Sequence, residues 1–148
     1  MARDTWYRLD NVGKFYSSQA GSSAQTVFRY AATVRDDVDP AILQRALEKT
    51  VDVFPNFNVC LRSGMFWHYL EQAATVPVAT REVLPICFGL HVDAKSVLIR
   101  VSWFRARINL EVSHMVSDGR GSLSFFKALL YAYVEERYGV RPDQFIDF

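Results

Sequence analysis

The sequence predicts an α+β fold, with helices packed on a mixed, mostly antiparallel sheet. Three observations lead there. A helix with both ends marked lies between Asp39 and Phe54, and a second amphipathic helix covers residues 121–138. Two apolar stretches between them, residues 57–71 and 96–113, each double back as a hairpin. The order is strand, helix, hairpin, hairpin, helix in 148 residues, the size of one domain able to bury a real core.

The opening stretch Trp6-Tyr7-Arg8-Leu9-Asp10-Asn11-Val12-Gly13 mixes aromatic and turn residues and is expected to be irregular or briefly helical. Ser17, Ser18, Gly21, Ser22 and Ser23 mark a loop. Residues 26–35, with Val27, Phe28, Tyr30, Thr33 and Val34, suit a strand because β-branched and aromatic side chains pack well on a pleated surface. Asp39 can accept from the first free amides of a helix, and Pro40 loses nothing at the first helical position because its missing N–H has no intrahelical acceptor. Ile42, Leu43, Ala46, Leu47, Thr50 and Val51 then make one apolar stripe, and Pro55 stops the helix near Phe54.

Residues 57–62 and 66–71 are expected as strands around a Ser63-Gly64 turn. Pro77 and Pro85 break any regular pattern in residues 72–93, which should be extended and irregular. Residues 96–104 alternate, with Val97, Ile99, Val101 and Trp103 on one face. After a turn near Arg105, Ile108, Leu110 and Val112 alternate again. The period of two puts His114 on the face of Ile108, Leu110 and Val112, the buried one. The last helix carries Leu123, Phe126, Leu129, Leu130 and Val134 on its apolar side, and Gly139 followed by Pro142 ends it.

Composition excludes several functions. Half the residues are hydrophobic and 14% aromatic, too many for a disordered chain. A net charge of +1 gives no basic surface for nucleic acid. Arg100, Arg105 and Arg107 are close in sequence, and a solvated strand edge accounts for them more simply than an anion site. Cys60 and Cys87 lack metal spacing and sit among apolar residues, so both are expected as buried small hydrophobes rather than a disulfide. The start Met1-Ala2-Arg3-Asp4-Thr5-Trp6 has no apolar signal core, and no stretch approaches the roughly 20 apolar residues that span a bilayer. A soluble cytoplasmic protein without a membrane span is the expectation.

The chemistry concentrates in His114-Met115-Val116-Ser117-Asp118-Gly119. A buried strand would deliver His114 to a fixed place, and the turn after it lies at the sheet's edge, where a ligand can approach. Asp118 precedes a helix, where a carboxylate caps free amides or pairs with an arginine, and Gly119 allows close approach. Taken singly, a strand histidine is most often a hydrogen-bonded core residue and Asp-Gly only a capped turn. Their combination at this spacing favours function.

That hexapeptide resembles the H-x-x-x-D-G motif of the chloramphenicol acetyltransferase-like superfamily, which includes alcohol acetyltransferases and the condensation domains of nonribosomal peptide synthetases. The order of elements is similar to the family's N-terminal half, through Asp39-Pro40-Ala41-Ile42-Leu43-Gln44-Arg45-Ala46-Leu47, Phe54-Pro55 and Val59-Cys60-Leu61-Arg62. Trp6-Tyr7-Arg8-Leu9-Asp10 and Gly64-Met65-Phe66-Trp67-His68-Tyr69-Leu70-Glu71 look most like bacterial alcohol acetyltransferases. The resemblance implies a chloramphenicol acetyltransferase-like two-layer α/β sandwich half, with residues 1–148 as a single N-terminal-half domain.

It also implies His114 as general base, Asp118 as a structural residue holding the motif through a salt bridge, Gly119 keeping a channel open, and Met115 and Ser117 as channel-lining candidates. The implied co-substrate is acyl-CoA, with a small alcohol as acceptor and no permanently bound cofactor. The implied partner is a complementary C-terminal half or a second copy of the chain. Condensation domains usually carry a second histidine where this chain has Ser113, which weighs against peptide-bond formation. Single-chain members run to about three times a typical domain of this length, so a second half would supply the other wall.

Smaller candidates carry less. His68 and His91 are isolated, so no metal site is expected. Gly119-Arg120-Gly121-Ser122 lacks the phosphate-loop pattern, and Ser117 or Ser122 beside His114 lacks a G-x-S-x-G elbow. Phe15, Tyr16, Phe57, Phe66, Trp67 and Trp103 are expected in core and inter-half packing. Two other readings remain: a non-catalytic, self-associating or partner-binding module, and a fragment of a longer acyltransferase or condensation protein.

Overall fold

The protein is described by a computed structural model covering residues 6–7, 27–87, 90 and 98–140. The Ser/Gly stretch, Phe15, Tyr16, His91, Val97 and Pro142 lie outside the described residues. The elements are β1 (Trp6–Tyr7), β2 (Val27–Thr33), α1 (Pro40–Val53), a 3₁₀ turn (Pro55–Phe57), β3 (Val59–Ser63), β4 (His68–Gln72), β5 (Thr80–Arg81), β6 (Ile99–Phe104), β7 (Arg107–Ser113) and α2 (Gly119–Tyr138). Among the described residues they make two sheets, one ordered β1-β4-β3 and the other β2-β7-β6-β5. Every pairing is antiparallel except β5 with β6. This is the mixed α+β layer that the sequence predicts.

Helix α1 keeps its expected bounds. Asp39 Oδ1 accepts from the amides of Ala41 at 3.0 Å and Ile42 at 3.2 Å, Pro40 opens the helix, and Phe54 caps its end. The hairpin that follows shifts from expectation. Phe57 belongs to the 3₁₀ turn, closed by Phe57 N donating to Phe54 O and Asn58 N to Pro55 O, so β3 begins at Val59. Its turn takes in Gly64 to Trp67, with Gly64 N donating to Trp67 O at 2.7 Å, and β4 starts only at His68. Met65, Phe66 and Trp67 stand at the tip, 88%, 85% and 65% exposed. Of the aromatics expected in packing, Phe66 and Trp67 are therefore outside the core.

Helix α2 starts two residues earlier than expected, at Gly119, because Asp118 is its N-cap. Its buried side chains are Ser122, Phe125, Phe126, Leu129 and Tyr133, while Leu123, expected on that side, is exposed. Gly139 adopts the left-handed conformation at φ 66° that ends the helix, which glycine reaches without a Cβ clash. Both helices cover one face of the four-stranded sheet. There Phe28, Tyr30 and Ala32 stand opposite Val112, Leu110 and Ile108, which in turn face Ile99, Val101 and Trp103. Phe125 stacks on Phe57 at 4.5 Å beneath Phe54. A second, smaller core of Val59, Leu61, Leu70, Leu98 and Met115 joins the two sheets. Leu98 is the hinge of that joint, its amide donating to Val59 O and its carbonyl accepting from Ser113 N.

The other face of the four-stranded sheet is polar, and its centre, at Ser102, Asn109, Glu111 and Ser113, is buried as well. Arg29, Arg100, Ser102, Arg107, Asn109 and Glu111 project there by the strand register. Arg100 and Arg107 thus sit on interior strands, not on a solvated edge, and only Arg105 lies in an exposed turn, at φ 51°. Glu82, on the segment after β5, accepts from Arg29 at 2.5 Å and from Arg107 at 2.6 Å. Glu111 pairs with Arg100 at 2.5 Å and accepts from the Cys87 amide at 2.8 Å. The segment from Glu82 to Cys87 therefore straps over the charges, with Val83, Leu84 and Ile86 turned outward and exposed. Cys60 is buried as expected, Cys87 is half-buried, and neither is in a disulfide.

This network makes stability depend on pH. Burial alone would raise the Glu82 carboxyl, but hydrogen bonds from Arg107 and Arg29 and their charges outweigh it and hold Glu82 below its ordinary value. A depressed folded-state pKa gives stability that is fully present above the unfolded value and is lost as pH falls through the folded one. The urea midpoint should be level from about pH 7 to about pH 5 and fall below that, through the ordinary carboxylate value near 4.3 and on toward the lower folded-state one. Glu82→Gln should be less stable at neutral pH and lose part of that acid dependence. A Glu82→Gln curve parallel to the wild type's would rule this source out.

Candidate active site

Strand β7 is interior in its sheet and ends at Ser113. A tight turn follows, in which Val116 N donates to Ser113 O at 3.0 Å and Met115 N to Ser113 Oγ at 3.3 Å. His114 is the first residue of that turn, one position beyond the strand, and is half-buried. Its ring lies 4.5 Å from the ring of Phe28, tilted by 52°. Phe28 pairs in register with Val112 on the helix-covered face. His114 therefore finishes that face, on the side the alternation predicts. The strand ends before it.

The rest of the motif is held by named contacts. Asp118 Oδ1 accepts from Gly121 N at 2.9 Å, which satisfies one of the free amides of α2. This is one of the two roles expected of Asp118, and among the described residues no ion pair accompanies it. Gly119 has no positive φ, and a Cβ there would meet only the Tyr30 hydroxyl, at an ordinary 3.5 Å. Close approach belongs to Gly121 instead, where a Cβ would lie 2.3 Å from Ser117 Oγ. Ser117 is half-buried and donates its hydroxyl proton to Asp118 O at 3.2 Å.

Met115 is corrected from channel wall to core. It is 7% exposed and packs with Leu61, Leu70 and Leu98, because the turn directs it inward between the two sheets. Val116 beside it packs against both cores. Ser122 is fully buried and its hydroxyl has no partner among the described residues, so it cannot be presented to a substrate.

The sequence reasoning missed Phe28 and Tyr30 as neighbours of the motif. Tyr30 donates to the Gly119 carbonyl at 2.6 Å and stacks on Phe126 at 5.8 Å. Alternation along β2 is a signal that puts both rings on one face. Nothing in the sequence pairs β2 with β7. A cavity of about 40 Å³ lies on the polar side of the sheet, among Arg81, Glu82, Arg100, Ser102 and Glu111, away from the face His114 completes. His68 is exposed on the hairpin. Among the described residues no three His, Cys, Asp or Glu side chains gather closely enough to hold a metal, and no helix is long and apolar enough to cross a membrane.

No family model matches the sequence, and no curated protein matches it. Solved structures do. The chain is similar to the starter condensation domain of rhizomide synthetase RzmA, with TM-score 0.71 and 11% identity over 92% of this chain and 39% of that one. An arginine-to-alanine mutant of the same domain, in complex with C8-CoA, gives TM-score 0.70 and 12% identity over 93% and 37%. The first condensation domain of the calcium-dependent antibiotic synthetase, in complex with a substrate analogue, gives 0.69 and 16% over 93% and 41%. Polyketide synthase associated protein 5 from Mycobacterium tuberculosis gives 0.67 and 15% over 94% and 36%. Likeness at these identities is one of fold. The chain has the chloramphenicol acetyltransferase-like fold seen in condensation domains, and it spans about two fifths of the length of those structures.

Proposed function

We propose that this chain is the N-terminal half of an acyltransferase in which His114 is the general base. The acceptor, a small alcohol, loses its hydroxyl proton to the imidazole as its oxygen attacks the thioester carbonyl of an acyl-CoA. The C–O bond forms, the C–S bond breaks, and the proton passes on to the departing CoA thiolate. An imidazole suits both transfers because its ordinary pKa lies near neutral pH. One observation carries the reading. His114 stands half-exposed at the free end of the helix-covered face, on a turn fixed by backbone hydrogen bonds at one end and a capped helix at the other.

The fold supports acyl transfer as the class, and a C8-CoA complex of one structural neighbour supports an acyl-CoA donor. Residues 1–148 form one unit of this enzyme, completed by a C-terminal half that supplies the second wall of the site. No permanently bound cofactor is needed for this chemistry, and we place the enzyme in the cytoplasm, where acyl-CoA donors are available. The test is CoA thiol release from acetyl-CoA and octanoyl-CoA with a panel of small alcohols, using the chain alone and joined to a complementary C-terminal half. Release by the joined protein that His114→Ala leaves unchanged would sink the reading.

The exposed tip of Met65, Phe66 and Trp67 favours a second reading, a self-associating or partner-binding module of the same fold. Sedimentation decides it. A monomer persisting at high concentration counts against self-association.

A further inference from the structure

The geometry points to Phe28 and Tyr30 of β2 as a two-point clamp on the motif loop, with Tyr30 a positioning residue for His114. This rests on the reading of His114 as the base. The two side chains are alternate residues of one strand and share the helix-covered face, with ring centroids 5.7 Å apart and edges meeting at 90°. Phe28 holds the first residue of the loop, its ring 4.5 Å from that of His114. Tyr30 holds the last, its hydroxyl donating to the Gly119 carbonyl at 2.6 Å.

An extended chain across five residues could carry its ends roughly 17 Å apart. The loop from His114 to Gly119 must instead meet two neighbouring side chains on one strand. The turn at Ser113 and the cap at Asp118 fold it back, and the β2 rings fix where its ends come to rest.

Tyr30 is itself braced. It stacks on Phe126, a buried residue of α2 about two turns beyond Gly119, so ring and hydroxyl tie α2 to β2 at two places. A Cβ at Gly119 would stand in ordinary contact with the tyrosine hydroxyl, at 3.5 Å. Loss of the hydroxyl frees the helix end of the loop without touching His114 directly. A general base displaced by about 1 Å can lose about a hundredfold in rate. Moving the far end of its loop is a way to reach that without changing the base.

The experiment compares Tyr30→Phe and Phe28→Leu with wild type. Tyr133→Phe serves as control, since it removes a phenol hydroxyl that accepts from Asp39 N at the other end of α2. Two readouts are independent of turnover: the NMR signals of the His114 ring, assigned by their loss in His114→Asn, and hydrogen exchange of the Gly121 amide. In Tyr30→Phe the ring signals should move, and Gly121 should exchange about fivefold faster, as expected for one lost hydrogen bond. Tyr133→Phe should leave the ring signals in place, and Phe28→Leu should move them further than Tyr30→Phe does.

In the joined enzyme Tyr30→Phe should lower kcat about tenfold with KM unchanged, the mark of an interaction realised in the transition state. Wild-type ring signals and exchange in Tyr30→Phe would overturn the clamp, as would an equal displacement in Tyr133→Phe. Ring signals that respond to Tyr30, in an enzyme whose transfer survives His114→Ala, would overturn the acyl-transfer reading and leave the clamp standing.

Discussion

His114→Ala should lower acyl transfer by about 10² to 10⁴, the usual worth of a positioned general base. The loss should fall on kcat and kcat/KM alike, because the imidazole takes the proton only as the acceptor oxygen attacks. Binding of the CoA and acceptor should be little changed. The fold should survive too, since the residue is half-exposed, its backbone lies in a turn, and the strand ahead of it ends at Ser113. Ser117→Ala is the matched control. Its hydroxyl bonds only the neighbouring Asp118 carbonyl in the described structure, so its loss should cost less than about tenfold. A Ser117→Ala defect equal to that of His114→Ala would move the chemistry to the hydroxyl.

Glu111→Ala should be the most damaging change to stability, costing about 3–5 kcal/mol. Its side chain is 4% exposed, on an interior strand. It accepts from Arg100 at 2.5 Å and from the Cys87 amide, and lies 3.6 Å from Arg29. Removing it takes a buried carboxylate away from the Arg100 and Arg29 guanidiniums and takes away the acceptor of the Cys87 amide. Net stabilities of single domains run to about 5–15 kcal/mol, so this loss is a large share of the whole. Glu111→Gln keeps an acceptor for Cys87 and should cost less. Urea unfolding of the two variants checks the order, and a Glu111→Ala loss under about 1 kcal/mol would mean the guanidiniums reach water at little cost.

Much of this chain was legible in the sequence because its local signals agree. Asp39 and Pro40 start α1, and its stripe packs as the three- and four-residue spacing demands, with Leu43, Ala46, Leu47, Thr50 and Val51 buried. The alternation in β6 and β7 placed Ile108, Leu110 and Val112 correctly, and His114 with them. The same alternation misled about Asn109, Glu111 and Ser113, which are buried as deeply on the opposite face. A period of two tells which residues share a face, not whether the other face is covered. The cover here is the strap from Glu82 to Cys87, whose sequence has no regular period. Phe66 and Trp67 fall outside the strand expected at residues 66–71 for a related reason: large aromatic residues signal a strand, yet the Gly64 turn carries them out to the hairpin tip.

The motif divides along the same line. Spacing along one chain was enough to say that a histidine follows a buried strand and that an aspartate stands before a helix. Packing in three dimensions was needed to show that Asp118 caps α2, that Met115 turns into the joint between the sheets, and that Gly121 rather than Gly119 is the tight position. Phe28 and Tyr30 come to His114 and Gly119 across more than eighty residues of sequence. The reason is physical. Period and capping are read along the chain, whereas what lies against a side chain depends on which strands pair, and pairing is settled by the packing of the whole sheet.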